Sequence, residues 1–317
     1  MKKRYFWSAV LLALAVGAYA ATGTEDDQKF QYKLKLQNGQ KYYLTMITQE
    51  KTSYTLLGKE RYVEQEVGFG YELDVNQIDE KNVADVSVRL DWIMLKTKGQ
   101  GPTVVYDSNQ LFSPIAPAAK RLALMLGARF EVNITTEGNI KDVKKIKEML
   151  TNIEKKLTPT MQERMLILSL KEQFTEYAIK GIFERHLAVY PENEVGVGDY
   201  WEKTFQAPLG LPLIIQNKWT LIERKNGIAI IQNNANIKTD PDAKPWVRGG
   251  TKTRYKLEGL QNGLSEAQEK TGLIRESKLS QQLTGEMKVE TAGEETTEQL
   301  IPMKVQNIIT FQMVVRK

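Results

Sequence analysis

The sequence predicts a mainly β, α+β protein: two antiparallel, curved β-sheet units joined by a helical hairpin. Three observations predict it. Apolar and polar residues alternate strictly in runs at both ends of the chain; Asn-Gly dipeptides punctuate those runs, as type I′ hairpin turns require; and a central stretch repeats its apolar residues every three or four positions. The expected organisation is a signal peptide over 1–20, a disordered start over 21–28 and a first β unit over 29–138 with a short apolar helix near 118–126. A helical hairpin over 139–190 and a second β unit over 195–317 complete it.

Lys2, Lys3 and Arg4 form a positive n-region, Ala9 to Val16 an uninterrupted apolar core, and Ala18-Tyr19-Ala20 presents small residues at the cleavage positions. The apolar stretch is shorter than the ~20 residues a spanning helix needs. The expectation is cleavage after Ala20 and a soluble bacterial protein, periplasmic or secreted, that spans no membrane after processing. Cleavage removes three of the 44 Lys and Arg residues and none of the 39 Asp and Glu, leaving 41 against 39. So neutral a chain lacks the concentrated basic face that binds phosphate backbones, and no nucleic-acid partner is expected. With no cysteine, disulfides, thiolate metal sites, cysteine nucleophiles and lipoprotein acylation are excluded.

The first alternation runs through Phe30, Tyr32, Leu34 and Leu36, turns at Asn38-Gly39 and resumes at Tyr42, Leu44 and Met46, which predicts an opening hairpin. Ala84, Val86, Val88, Leu90, Trp92 and Met94 predict one long strand with a single apolar face. Phe130, Val132 and Ile134 mark another, as do Ile309, Phe311, Met313 and Val315; further hairpin turns are expected at Asn226-Gly227 and Asn262-Gly263. In the middle, Ile140, Val143, Ile146, Met149, Ile153 and Leu157 lie at helical spacing. Thr158-Pro159 supplies a helix start, and Leu166, Leu170, Phe174, Tyr177 and Gly181 mark a second helix that Tyr190-Pro191 stops.

The two β regions are weakly alike. Gly39-Gln-Lys-Tyr42 matches Gly198-Asp-Tyr-Trp201, and Phe130 to Ile140 matches the unit ending in Thr271-Gly272-Leu-Ile274. Internal duplication and chance similarity of β-meanders both account for this. The segment Val195-Gly-Val-Gly-Asp199-Tyr-Trp201, with Thr271 to Ile274 and the Gly285-Glu-Met turn, resembles domain-of-unknown-function family 6263, a group of exported bacterial proteins. The resemblance spans most of the mature chain. It implies export and a repeated β-sheet architecture, and no activity, cofactor or site residue.

Catalytic motifs are absent from the sequence. The single histidine, His186, rules out two-imidazole metal motifs, and its place near the end of the second helix predicts a helix-end or surface residue that is dispensable. Gly263-Leu-Ser265-Glu-Ala267 lacks the second glycine of a nucleophile elbow. Gly68-Phe-Gly70, Gly99-Gln-Gly101 and Gly196-Val-Gly198 lack the third glycine of a phosphate loop. Asp240-Pro-Asp242 and Glu294-Glu295 read as turns. No catalytic, cofactor-binding or metal residue is assigned and no cofactor is expected. A carboxylate pair converging from distant strands would leave no local motif and is the route by which a hydrolase would escape notice.

One segment departs from this pattern. Phe112-Ser-Pro-Ile-Ala-Pro117 leads into Ala118 to Leu126, where Leu122, Leu124, Met125 and Leu126 cover more than one helical face. Such a helix either plugs the core or, with Ile115, lids an apolar cavity. Trp92, Trp201 and Trp219 are the candidate cavity aromatics beside their alternative, ordinary core packing. The functional expectation is a non-enzymatic exported envelope protein binding a lipid, another apolar ligand or an envelope protein partner. Its alternatives are a structural or assembly protein without a small ligand, and an enzyme without a recognisable motif. The exported protein is expected to begin at Ala21 and to be recovered without detergent; intact Met1 on membrane-extracted mature protein would refute the processing assignment.

Overall fold

A computed structural model of the protein describes residues 29–110, 115–157, 160–207, 211–248, 250–291 and 297–316. The expected signal peptide, disordered start, Thr158-Pro159 helix start and Glu294-Glu295 turn lie outside them. The strands are β1 (Lys41–Leu56), β2 (Lys59–Ile78), β3 (Ala84–Lys98), β4 (Val104–Asp107), β5 (Arg129–Ile134) and β6 (Ile140–Lys144), then β7 (Tyr200–Gln206), β8 (Leu213–Lys225), β9 (Ile228–Thr239), β10 (Trp246–Arg248), β11 (Thr251–Gln268), β12 (Ile274–Thr291) and β13 (Thr297–Arg316). Among the described residues four helices interrupt them: α1 (Pro117–Leu124), α2 (Ile146–Glu154), α3 (Met161–Gln173) and α4 (Glu176–Leu187).

All the strands belong to one antiparallel sheet in the order β6-β5-β3-β2-β1-β13-β12-β11-β9-β8-β7, with β4 on β3 and β10 on β11. The two expected β units are therefore continuous. Their seam is β1 against β13, in unbroken register from Lys41 opposite Arg316 to Tyr54 opposite Met303. Alternation does the rest: Tyr42, Leu44 and Met46 on β1 and Ile309, Phe311 and Met313 on β13 all bury the same face. Val315, at the strand end, is exposed.

The sheet curls so that its two outermost strands, β6 and β7, both meet α4. The Ile140 amide donates to Glu184 Oε1 at 2.8 Å from one edge, and the Tyr177 hydroxyl donates to Gln206 Oε1 at 2.9 Å on the other. Residues 30–36 strap the same gap. Phe30 exchanges two 3.0 Å backbone bonds with Val195, the Leu34 amide donates to Thr136 O and the Lys35 amide to Thr271 O, both at 2.8 Å. Tyr32 and Leu34 are buried beneath the strap.

Five sequence expectations change here. The opening hairpin is absent, because β2 and β13 occupy both flanks of β1; Phe30 to Leu36 alternate as a strap, and only the turn at Asn38-Gly39 is retained. Asn262-Gly263 is interior to β11, opposite Ser280 and Leu279, and neither residue has positive φ. The long strand does not keep one face: a bulge places Asp91 between the pairs Leu90–Tyr71 and Trp92–Gly70, so Ile93 and Leu95 turn inward while Trp92 and Met94 turn outward. A second bulge at Lys141 puts Ile140 and Val143 on one face of β6, and their three-residue spacing imitates a helix that begins only at Ile146. Finally, the second helix divides at Phe174, where Thr175 caps α4 by accepting from the Ala178 amide at 3.2 Å. Thr160 caps α3 in the same way through Glu163.

Two predictions follow from the strap. Gly138 has φ +76°, and a Cβ there would lie 1.8 Å from the Leu187 carbonyl oxygen; Gly138→Ala is expected to lower stability by about 2–4 kcal/mol in urea denaturation. Glu137 pairs with Lys33 of the strap at 3.0 Å. Burial alone would raise its pKa, but hydrogen bonds from Lys33, Thr136 and Thr135 prevail and hold it at about 2, below an ordinary 4.5. A depressed carboxylate stabilises above its unfolded pKa and loses that contribution as pH falls from about 4.5 through 2. Glu137→Gln should lower stability at pH 7 by about 2 kcal/mol and flatten the acid limb below pH 4.5; an unchanged limb would refute the assignment.

Candidate functional site

Between the concave face of the sheet and the helices lies a cavity of about 280 Å³. Its floor is Met46 and Thr48 of β1 with Val67, Phe69 and Tyr71 of β2. Its roof is Arg121, Leu122 and Met125 in and just after α1, Leu170 and Phe174 in and just after α3, and Ile182, Arg185 and His186 of α4. The floor is open to helices because β1 and β2 bury aliphatic and aromatic side chains on one face. The roof forms because α1 starts at Pro117, whose fixed φ suits a first helical turn, and α4 is set by its Thr175 cap. The volume is close to the ~300–1,000 Å³ typical of small-molecule sites, and the lining is predominantly apolar. A larger depression, about 560 Å³, is open to solvent among side chains already paired with one another, such as Lys51 with Glu64 at 3.4 Å and Gln49 with Glu66 at 3.0 Å.

Of the proposed lid residues, Leu122 and Met125 face the cavity; Leu124 and Leu126 are half-buried against the main core outside the cavity wall, and Ile115 is exposed. The tryptophans separate. Trp92 sits on the outward face over Gly68 and Gly70, where an added Cβ on Gly68 would come within 2.5 Å of its ring, and its Nε1 donates to Asp107 at 2.9 Å. Trp201 and Trp219 stack at 6.3 Å, and Trp201 Nε1 donates to Val189 O at 2.7 Å, which ties β7 to the end of α4. Trp219 lines a second, smaller cleft.

That cleft, about 30 Å³, is separated from the apolar cavity by Arg185 and His186, which line both. It has room for a water or two. Asn217, Asn233, Gln261 and Gln281 of its wall belong to a ladder of amides crossing five strands: Asn307 Nδ2 donates to Gln281 Oε1 at 3.0 Å, Gln281 Nε2 to Gln261 Oε1 at 2.7 Å, Gln261 Nε2 to both Asn233 and Asn217, and Asn233 Nδ2 to Asn217 Oδ1 at 3.0 Å. Every amide donates in the same direction along the row, so the dipoles reinforce one another.

Arg185 is the unusual member. Among the described residues it has no hydrogen-bond or ion-pair partner, its Nε is buried, and desolvation lowers its pKa. Periodicity reading passed over it. The signal was present: Ile179, Phe183 and His186 form the buried stripe of α4, Ile182 lies half-buried beside it, and Arg185 falls three residues after Ile182. His186 is at the helix end as expected but is buried, stacked on Phe311 with ring centroids 5.2 Å apart. Burial, with Arg185 adding to it, pushes its pKa down from 6.5 to about 3, so a neutral ring replaces the expected exposed cation. A histidine depressed on folding stabilises above pH 6.5 and loses that contribution as pH falls towards 3. His186→Phe should keep the stack and remove about 2 kcal/mol of the stability loss between pH 6.5 and 5, measured by thermal melts.

Among the described residues no group of three or more His, Asp or Glu side chains is placed to hold a metal ion, and no helix is long and apolar enough to cross a membrane. No curated protein matches the sequence. Among solved structures, one of lipovitellin concerned with its lipid–protein interactions aligns with 89% of this chain at 10% identity and a TM-score of 0.46, and this chain spans 25% of that one. An outer membrane channel of Pseudomonas putida F1 aligns at 8% identity over 93% of this chain and 100% of its own, with a TM-score of 0.25. OccK7 (OpdD) of Pseudomonas aeruginosa aligns at 8% identity over 88% of this chain and 100% of its own, with a TM-score of 0.23. One family model matches residues 81–274, from the turn before β3 to the first residue of β12. The chain belongs to that family, the family of unknown function DUF6263.

Proposed function

We propose that the protein is a non-enzymatic exported protein of the cell envelope that holds an apolar ligand between the concave sheet face and helices α1, α3 and α4. The observation that carries this reading is the cavity itself: eight of its thirteen wall residues are Met, Val, Phe, Leu or Ile, and the helix that helps roof it begins at Pro117 and ends before Gly127. A largely apolar hollow of this kind is poorly hydrated, so an apolar ligand entering it removes apolar surface from water on both partners. The positive n-region, the apolar core and the small residues at the cleavage positions of the N-terminal segment support export.

The test is saturable binding of the neutral apolar dye N-phenyl-1-naphthylamine to the purified chain starting at Ala21. Wild type is expected to bind it with a fluorescence increase. Leu122→Ser with Met125→Ser should weaken binding at least tenfold, with a loss of stability below the 2–5 kcal/mol per residue of core truncations. Leu264→Ser, on an exposed position of β11, should leave binding unchanged. Absence of saturable dye binding by wild type, or a double variant that unfolds while wild type never takes up the dye, would replace the lid reading with the plug.

A further inference from the structure

We propose that the ligand is an amphiphile whose hydrocarbon chain occupies the apolar cavity and whose anionic end group is held by the Arg185 guanidinium. The inference rests on the apolar-ligand reading above and adds the chemistry of the polar end. Arg185 is half-buried in the cavity wall with its Nε buried and unpartnered, a costly position for a cation because lost hydration is normally repaid by an opposing charge. Elsewhere in the fold arginines meet opposing charges: Arg89 and Arg316 share Glu72 and Asp91, Arg224 forks onto Glu269 at 2.7 and 3.2 Å, and Arg254 meets Glu290. Arg185 has none.

Its position is equally specific. It stands where the apolar cavity meets the amide-lined cleft, so a chain lying against Met46, Val67 and Phe69 would bring its terminus to the guanidinium. The neighbouring acid does not compete, since Glu184 accepts from the Ile140 amide on the far side of α4. His186, neutral and stacked on Phe311, adds no opposing charge. A guanidinium presents a planar fork of donors that matches the oxygens of a carboxylate or a phosphate. The ligand class is therefore an alkyl or acyl chain ending in either anion, derived from a free fatty acid in the first case and from a phospholipid in the second. The second arginine at the cavity, Arg121, is exposed at the rim and reaches Ser169 Oγ at 3.5 Å, so it is placed as a mouth residue.

The experiment is displacement of bound N-phenyl-1-naphthylamine by decanoate, decyl phosphate and decan-1-ol at pH 7.5, all of one chain length. Wild type is expected to prefer at least one anion over the alcohol by tenfold or more, and the preferred anion identifies the source. Arg185→Met should keep dye affinity within about twofold, keep the affinity for decan-1-ol and erase the preference; Arg185→Lys should retain part of it; Arg121→Met should retain it all. Equal displacement by anions and alcohol in wild type overturns the inference and leaves the apolar-ligand reading standing. A preference that survives in Arg185→Met, or disappears in Arg121→Met alone, also overturns it. Failure of wild type to bind the dye or any of the three chains overturns both readings.

Discussion

The backbone ladder between β1 and β13 is the interaction on which the rest of the structure depends. On one side of it hang β2, β3, β5 and β6, on the other β12, β11, β9, β8 and β7. Neither half alone could bring its outer strand to α4, and without α4 spanning both edges the helices would have no second wall to close against. The seam lies in the middle of the sheet, and its core side chains, Leu44, Met46, Phe311 and Met313, belong to the main apolar cluster. The apolar cavity is a gap in that same cluster, roofed where α1 and α4 fail to meet the sheet.

The interior is divided by polarity. The large cluster fills the space under the helices, and a smaller one, Leu213, Ile215, Ala235, Ile237, Leu283 and Val305, fills the far ends of β8, β9, β12 and β13. The amide ladder lies between them. Buried amides contribute little net stability when satisfied, but leaving one unpaired costs about 1–3 kcal/mol. A one-residue slip of β11 would send Gln261 to the outer face and break the row at its centre, so the ladder selects register more than it adds strength. It also gives the cavity a polar border, which makes Arg185 a boundary residue and not a buried accident.

Much of this was legible in the residues. Strict alternation identified β3, β5 and β13, and Asn38-Gly39 and Asn226-Gly227 are turns as read, with positive φ at Gly39, Asn226 and Gly227. The failures have a common cause. Period-two reading assumes an unbroken pleat, and single-residue bulges at Asp91 and Lys141 invert it, sending Trp92 to the opposite face and disguising β6 as a helix. The strap failed differently, because alternation reports which side chains are buried and says nothing about what the backbone bonds to. Asn217, Asn233, Gln261 and Gln281 are polar residues at inward positions, a signal that has meaning only once the strands are aligned. Arg185 needed the same information: its lack of a counter-charge is a property of three dimensions.

The placement of β13 has a consequence for the protein's synthesis. A chain made from its N-terminus forms the β1–β2 hairpin early, yet the other flank of β1 has no partner until residues 297–316 have emerged, some 240 residues later. Through that interval β1 is a long unpaired edge, the feature that recruits foreign strands into aggregates. Lys41, Glu50 and Lys51 lie along it, charges of the kind that discourage such pairing. Those charges guard the edge until β13 arrives to complete the sheet from the middle.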